Sequence, residues 1–203
     1  MKAIAIVSQK GGAGKSTLTR NLAVAGPRSG IIDLDPQGTT RGWWQKRGDD
    51  WPLMFEDISP ADIQPALAKL SDLKAARVFI DTPPSVHKWL ADVLKASDLA
   101  LVPVRPSPDD LAAIGPTLDL IEKVGTPFAF VIMQAPPRAR LVEEAARVLA
   151  QHGRVAPVNI GLRIAYAECG LLGQGVTEGT DKKAAKEITE LSKYVNTLMR
   201  KEG

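Results

Sequence analysis

The sequence holds one cysteine, Cys169, among 203 residues, and two histidines, His87 and His152. A lone thiol cannot close an intramolecular disulfide, and with two imidazoles it cannot assemble a Cys/His zinc site. A reducing, cytoplasmic compartment is the expectation, and Cys169 reads as a packing residue. No stretch approaches the roughly 18 consecutive apolar residues of a membrane span. The apolar start Ala3–Val7 breaks at Ser8-Gln9-Lys10, too soon for the core of a secretory signal, and reads as a buried strand. Charge of one sign is also scarce. The formal net charge is +3, and residues 1–181 carry 20 basic and 20 acidic side chains. The whole excess falls in the last 22 residues, where Lys182, Lys183, Lys186, Lys193, Arg200 and Lys201 face Glu187, Glu190 and Glu202. That balance excludes a strongly basic nucleic-acid wrapper and permits a local basic footprint.

What is present suits a soluble globular chain: 44% hydrophobic residues, 24% charged, mean hydropathy -0.06. Short apolar runs predict strands at Ala3–Val7, Gly30–Leu34, Arg77–Asp81, Leu99–Val104, Phe128–Met133 and Val155–Val158. Several are nearly continuous in Ile, Val, Leu and Phe, as for strands covered on both faces. Helical spacing fills the gaps at Lys15–Val24, Ala61–Leu70, Val86–Lys95, Asp109–Val124 and Leu141–His152. Alternation of this kind predicts an α/β fold with a doubly wound, mostly parallel sheet flanked by helices, as one domain over 1–203. Arg41–Asp57 is the least regular stretch, and spacing does not decide whether Trp43 and Trp44 face a partner or cover a sheet edge. In the segment Asp181–Met199, Ala184, Ile188, Leu191, Val195 and Leu198 recur at three and four residues. They form one apolar helix face, with the lysines largely outside it.

The chemistry concentrates in Ser8-Gln9-Lys10-Gly11-Gly12-Ala13-Gly14-Lys15-Ser16-Thr17, between the first strand and the first helix. Glycines let the backbone turn its N–H groups inward as a nest for phosphate oxygens. Lys15 is placed for the β- and γ-phosphates and the Ser16 hydroxyl for Mg²⁺. The strict G-x-x-x-x-G-K-[ST] pattern fails at Gln9, and Lys10 stands as an extra lysine at the loop entrance. Two further strands end in carboxylates: Ile31-Ile32-Asp33-Leu34-Asp35-Pro36-Gln37-Gly38, and Val78-Phe79-Ile80-Asp81-Thr82-Pro83-Pro84. Each aspartate alone could cap a helix. Three such elements at parallel strand ends converge on one crevice.

The box Lys10-Gly-Gly-x-Gly-Lys-Ser-Thr17 resembles the deviant Walker A motif of the ParA/MinD family of ATPases. Asp33–Gly38 matches that family's D-x-D-P-Q-G segment, and Val78–Pro84 its Walker B strand. The resemblance, which spans nearly the whole chain, implies a P-loop fold with ATP and Mg²⁺ as cofactors. Lys10 through Thr17 would bind nucleotide, with Lys10 reaching the nucleotide held by the other subunit of a homodimer. Asp35 would orient the attacking water near a metal served also by Ser16 and Asp81. Pro103–Leu111 resembles the segment near the dimer face, and Arg163–Glu168 the late segment before the final helix. It further implies weak basal ATPase activity stimulated by a ParB-like or cargo-adaptor protein, and nonspecific DNA binding on the nucleoid. Arg163 is the matching DNA-binding position, with Lys182, Lys183 and Lys186 as looser candidates. The cargo would be plasmid or chromosomal DNA or another large body. No helix-turn-helix segment precedes the first strand, which implies the small type without operator-specific binding. The alternative is a MinD-like regulator at the membrane surface, for which the final helix lacks Trp and Phe and carries a thin basic flank. A nitrogenase-iron-protein relative needs two cluster cysteines per subunit and is excluded by the single Cys169. The chain departs from the family in two places. The Thr17–Asp33 spacing is about a turn short, with Gly26-Pro27 ending the first helix early. Gln134 stands where the family often has Asn near adenine.

Overall fold

The computed structural model describes residues 1–56, 58–85 and 87–201, the last by its main chain only. Seven parallel strands form one sheet in the order β3-β2-β4-β1-β5-β6-β7. They are β1 (Lys2–Ile6), β2 (Ser29–Asp33), β3 (Leu53–Phe55), β4 (Arg77–Asp81), β5 (Leu99–Val104), β6 (Phe128–Ile132) and β7 (Arg154–Val155). The helices are α1 (Lys15–Val24), α2 (Thr39–Trp44), α3 (Ile63–Asp72), α4 (Leu90–Lys95), α5 (Pro108–Ala112), α6 (Gly115–Val124), α7 (Arg140–Ala150), α8 (Ala165–Leu171) and α9 (Lys182–Lys201).

The continuous apolar runs become strands because both sheet faces are covered. Alternate side chains of β1 feed two separate cores. Ala3, Ala5 and Val7 meet Leu70, Val93, Leu94, Leu118 and Leu149 of α3, α4, α6 and α7. Ile4 and Ile6 meet Leu18 and Leu22 of α1 and Ile188, Leu191 and Val195 of α9. The apolar stripe of α9 is therefore spent on the sheet: Ala184, Ile188, Leu191 and Val195 are all within 1% of full burial. Asp181 starts this helix by accepting the N–H groups of Lys183 and Ala184 at 2.9 and 3.1 Å. Those bonds, with the Ala184 amide foremost, hold its carboxyl below the usual range. Cys169 is buried, as a packing residue should be, and burial raises its thiol pKa.

Several boundaries differ from the sequence expectation for identifiable reasons. The helix expected over Asp109–Val124 is two helices, α5 and α6, broken at Ala113-Ile114. Pro116 has no N–H to give and its ring collides with the carbonyl four residues back, so one helix cannot run through it. The strand expected at Val155–Val158 is cut to Arg154–Val155, because Pro157 has no amide to add to a ladder. The helix expected at Ala61–Leu70 starts instead at Ile63, after a 3₁₀ turn over Pro60–Asp62. The start expected at Val86 lies outside the described residues, and α4 begins at Leu90. Two helices and a strand carried no periodic signal: α2, β3 and α8 are each seven residues or shorter. Within the irregular stretch, Trp43 is in the core and donates its indole N–H to the Gln174 carbonyl at 3.0 Å. Trp44 is half-buried and bonds the Pro52 carbonyl at 2.8 Å.

Candidate nucleotide site

The loop between β1 and α1 lies at the carboxyl ends of the central strands β4, β1 and β5, where an open parallel sheet binds its ligands. Two of its glycines are required by the backbone. Gly12 and Gly14 have φ of 75° and 98°, the left-handed region that L side chains rarely adopt. A Cβ on Gly14 would also stand 2.9 Å from Cε of Met133. Gly14 caps α1, and the N–H groups of its first turn have no partner within the helix, which makes the turn a phosphate cradle. Lys15 is buried, and its ammonium donates to the carbonyls of Ser8 (3.1 Å) and Lys10 (3.5 Å) across the loop. Burial lowers its pKa, while the charges of Asp81 and Asp35 act the other way.

The two carboxylate boxes have separated roles. Asp33 is buried and accepts the N–H groups of Asp35 and Arg41, both at 3.0 Å, so it ties the end of β2 to the start of α2. Asp35 is half-buried, lies past the strand and accepts the Gln37 N–H at 3.0 Å through Oδ1. Asp81 is fully buried at the end of β4. Its Oδ2 accepts the Thr40 hydroxyl at 2.6 Å, and its Oδ1 has no partner. Burial pushes its pKa up to about 7, against hydrogen bonds from Thr40 and Ser16 and the charge of Lys15. A buried, part-orphaned carboxylate near the Ser16 hydroxyl fits a hard cation held by oxygen ligands and phosphates. Among the described residues no group of three or more His, Cys, Asp and Glu is arranged to hold a metal by itself. Mg²⁺ shared with a nucleotide is the arrangement these residues suit.

Lys10 lies at the loop entrance, half-exposed, and no described residue hydrogen-bonds its ammonium. Beside it, Arg105 is fixed by a two-pronged pair with buried Asp110 (2.9 and 3.0 Å) and approaches Gly12 closely. Neither Thr40 nor Arg105 stood out in the sequence. Thr40 lies two residues past the D-x-D-P-Q-G segment, and Arg105 sits in the post-strand segment, which were the only signals available.

On the other side of the loop a cleft of about 280 Å³ opens between α1, the end of β6 and the segment before α8. Thr17, Arg20, Met133, Gln134, Leu162 and Tyr166 line it. Gln134 does not point away: its amide donates to the Gly12 carbonyl at 2.9 Å. Arg20 donates to the Ser16 carbonyl and to the Thr17 hydroxyl. The cleft continues from the phosphate loop and has the apolar lining a base would need. Arg163, at its rim, pairs with Glu187 of α9. Lys182, Lys183 and Lys186 are exposed on α9, the last 3.7 Å from Glu190. These basic residues are not part of the phosphate site.

The family profile of the CobQ/CobB/MinD/ParA nucleotide binding domain matches residues 4–201. The maintenance of carboxysome distribution protein A of Gloeobacter kilaueensis is 32% identical over 208 residues, covering 98% of this chain and 94% of that protein. Its counterpart in Halothiobacillus neapolitanus is 27% identical over 209 residues, 93% of each chain. The ATP complex of a Cyanothece McdA variant superposes with a TM-score of 0.78 at 17% identity, over 97% and 96% of the two chains. Pyrococcus horikoshii MinD, solved with Mg-ADP, gives 0.76 at 19% identity, over 100% and 98%. At such identities these structures establish the shared fold. The match along almost the full length, on a chain whose phosphate loop and carboxylates are assembled as described, makes this protein a member of the CobQ/CobB/MinD/ParA nucleotide-binding family, of the ParA/MinD ATPase type.

Proposed function

We propose that the protein is a positioning ATPase that closes as an ATP-bound homodimer, holds nonspecific DNA, and is released by partner-stimulated hydrolysis. The observation that carries this reading is the pair of lysines on one loop. Lys15 is buried and committed to its own site, while Lys10, half-exposed at the loop entrance, lies near the Arg105–Asp110 pair with no described residue hydrogen-bonding its ammonium. Lys15 and the free N–H groups of the α1 turn would hold the triphosphate. Ser16 and Asp81 would hold Mg²⁺, which supplies neutralisation of phosphate charge when bound. Asp35 would orient the attacking water. Lys10, offered to the nucleotide of a second copy, would neutralise charge on the transferred phosphoryl as an arginine finger does. The cargo reading follows from the relatives along the full length, whose names concern carboxysome distribution. A protein body is therefore favoured as cargo over plasmid or chromosome, with an adaptor on that body as the stimulating partner.

The DNA contact would use the exposed lysines of α9, with Arg163 contributing only if its pair with Glu187 opens. The MinD-like alternative is disfavoured by the same helix, whose apolar stripe is buried against the sheet. Among the described residues no helix is long and apolar enough to cross a membrane. The test is retention of DNA by purified protein with ATP, ADP or no nucleotide, over rising salt. ATP-dependent retention that fades with salt is expected, since phosphate contacts release counterions. Retention independent of nucleotide would refute the switch, and binding to anionic vesicles with ATP would favour the alternative.

A further inference from the structure

Glu187 carries more hydrogen bonds than an ordinary surface glutamate of a helix. Its Oε1 accepts Nε and Nη2 of Arg163 at 2.9 and 2.6 Å. Its Oε2 accepts the Gly161 N–H at 3.1 Å and the Tyr166 hydroxyl at 2.9 Å. Four donors from three residues of one short segment therefore converge on a single carboxylate of α9. The side chain is 15% exposed, so these bonds are shielded from water and cost more to lose than surface pairs. The geometry also explains a glycine. A Cβ on Gly161 would lie 3.1 Å from Glu187 Oε1 and 3.2 Å from Arg163 Nε, closer than side chains normally pack.

The segment held in this way is the outer wall of the 280 Å³ cleft beside the phosphate loop. On its inner side it is anchored by backbone bonds: Ala135 N–H to Ile160 O at 2.9 Å and Leu162 N–H to Ala135 O at 3.0 Å. Beyond Leu162 that ladder stops. Leu162 and Ile164 are 64% and 76% exposed, so apolar packing does not fix the segment there. Tyr166, buried in the core, anchors the far end of the segment, and the Glu187 carboxylate ties Gly161, Arg163 and Tyr166 to α9.

We infer that Glu187 is a positioning residue for nucleotide binding: from α9 it sets the wall of the base-side cleft, without touching the phosphates. The inference rests on the nucleotide reading of the loop and adds to it a dependence on the final helix. Through the same carboxylate, the helix carrying Lys182, Lys183 and Lys186 is joined to the base-side wall.

The test compares two probes by calorimetric titration with Mg²⁺ present. Inorganic tripolyphosphate engages the phosphate loop alone, whereas ATP engages the loop and the cleft. Glu187→Gln keeps the size of the side chain but turns an all-acceptor group into one that also donates toward Arg163 and Tyr166. It is expected to weaken ATP about tenfold, roughly 1.4 kcal/mol, and leave tripolyphosphate unchanged. Gly161→Ala, which crowds the carboxylate from the loop side, should give the same selective loss and carries the test if Glu187→Gln does not fold. Unchanged ATP affinity, or equal losses for both probes, would overturn the positioning role. Wild-type protein binding ATP no better than tripolyphosphate would remove the base cleft and the inference together. Binding of neither probe would instead overturn the nucleotide reading itself.

Discussion

The two halves of the nucleotide cleft are built on different principles. The phosphate half comes from consecutive residues, Lys10–Thr17, bent by Gly12 and Gly14 and backed by carboxylates at neighbouring strand ends. Its geometry is local, and its buried ions, Lys15 and Asp81, have few ways to move. The base half gathers Thr17, Gln134, Leu162 and Tyr166 from distant parts of the chain, and of these Tyr166 is bonded to the carboxylate at position 187. On the proposed reading, affinity for phosphate would be a property of one loop, while discrimination at the base would depend on how α9 packs.

Substitutions should separate the halves, and the largest effect belongs to the phosphate side. Lys15→Ala should abolish both ATP and tripolyphosphate binding. The loss should be at least about a hundredfold, given charge-assisted hydrogen bonds of about 1.5–3 kcal/mol each. Residual ATP binding within tenfold of wild type, measured by calorimetry, would place the affinity in the base half instead. Asp35→Ala should keep ATP affinity and lose hydrolysis, so that the ATP-bound dimer accumulates. Size-exclusion chromatography with ATP showing only monomer would count against that assignment.

A pH experiment examines the buried carboxylate of the phosphate half. Folding raises the Asp81 pKa from 3.8 to about 7. A raised acid binds its proton more tightly in the folded state. Its contribution to stability is therefore full below about pH 4 and is lost as pH rises through about 7. In EDTA without nucleotide, Asp81→Asn should gain stability over wild type between pH 4 and pH 8, with the difference levelling above 8. Thermal unfolding across that range checks it, and a constant difference would mean that the charged form is not penalised by burial. The smallest effect is expected at the base side. Tyr166→Phe removes one of four bonds to Glu187, a net of about 1 kcal/mol or less, and should weaken ATP by no more than about fivefold. Tripolyphosphate binding should not change.

The same contrast separates what could be read from the residues and what could not. The bounds of α1, β4 and β5 coincide with the periodic and continuous apolar patterns, because these elements form the buried centre. Short edge elements such as β3 and β7 depend on neighbours for their pairing, and three half-buried residues leave no pattern. Pro116 and Pro157 carried their message openly, yet the spacing of apolar residues masked it. At the site, the phosphate residues were legible since their chemistry demands a contiguous glycine-rich stretch. Thr40 and Glu187 were not, since each acts through a partner far along the chain: Thr40 meets Asp81, and Glu187 meets Arg163 and Tyr166. Arg105 pairs with Asp110 only five residues on, and what the sequence hid was its place beside Gly12.

The sequence by itself determined a neutral α/β nucleotide domain with its net positive charge gathered on a terminal helix, because composition, periodicity and a contiguous loop are properties of the chain. The stripe of the terminal helix, free of Trp and Phe, already favoured docking on the sheet over lipid, and the structure buries it there. Tertiary structure alone decided that Asp33 and Asp35 have separate tasks and that Glu187 ties the helix to the wall of the cleft. Those outcomes depend on which distant groups are brought within hydrogen-bond reach in a water-poor interior, and spacing along the chain does not encode such distances directly.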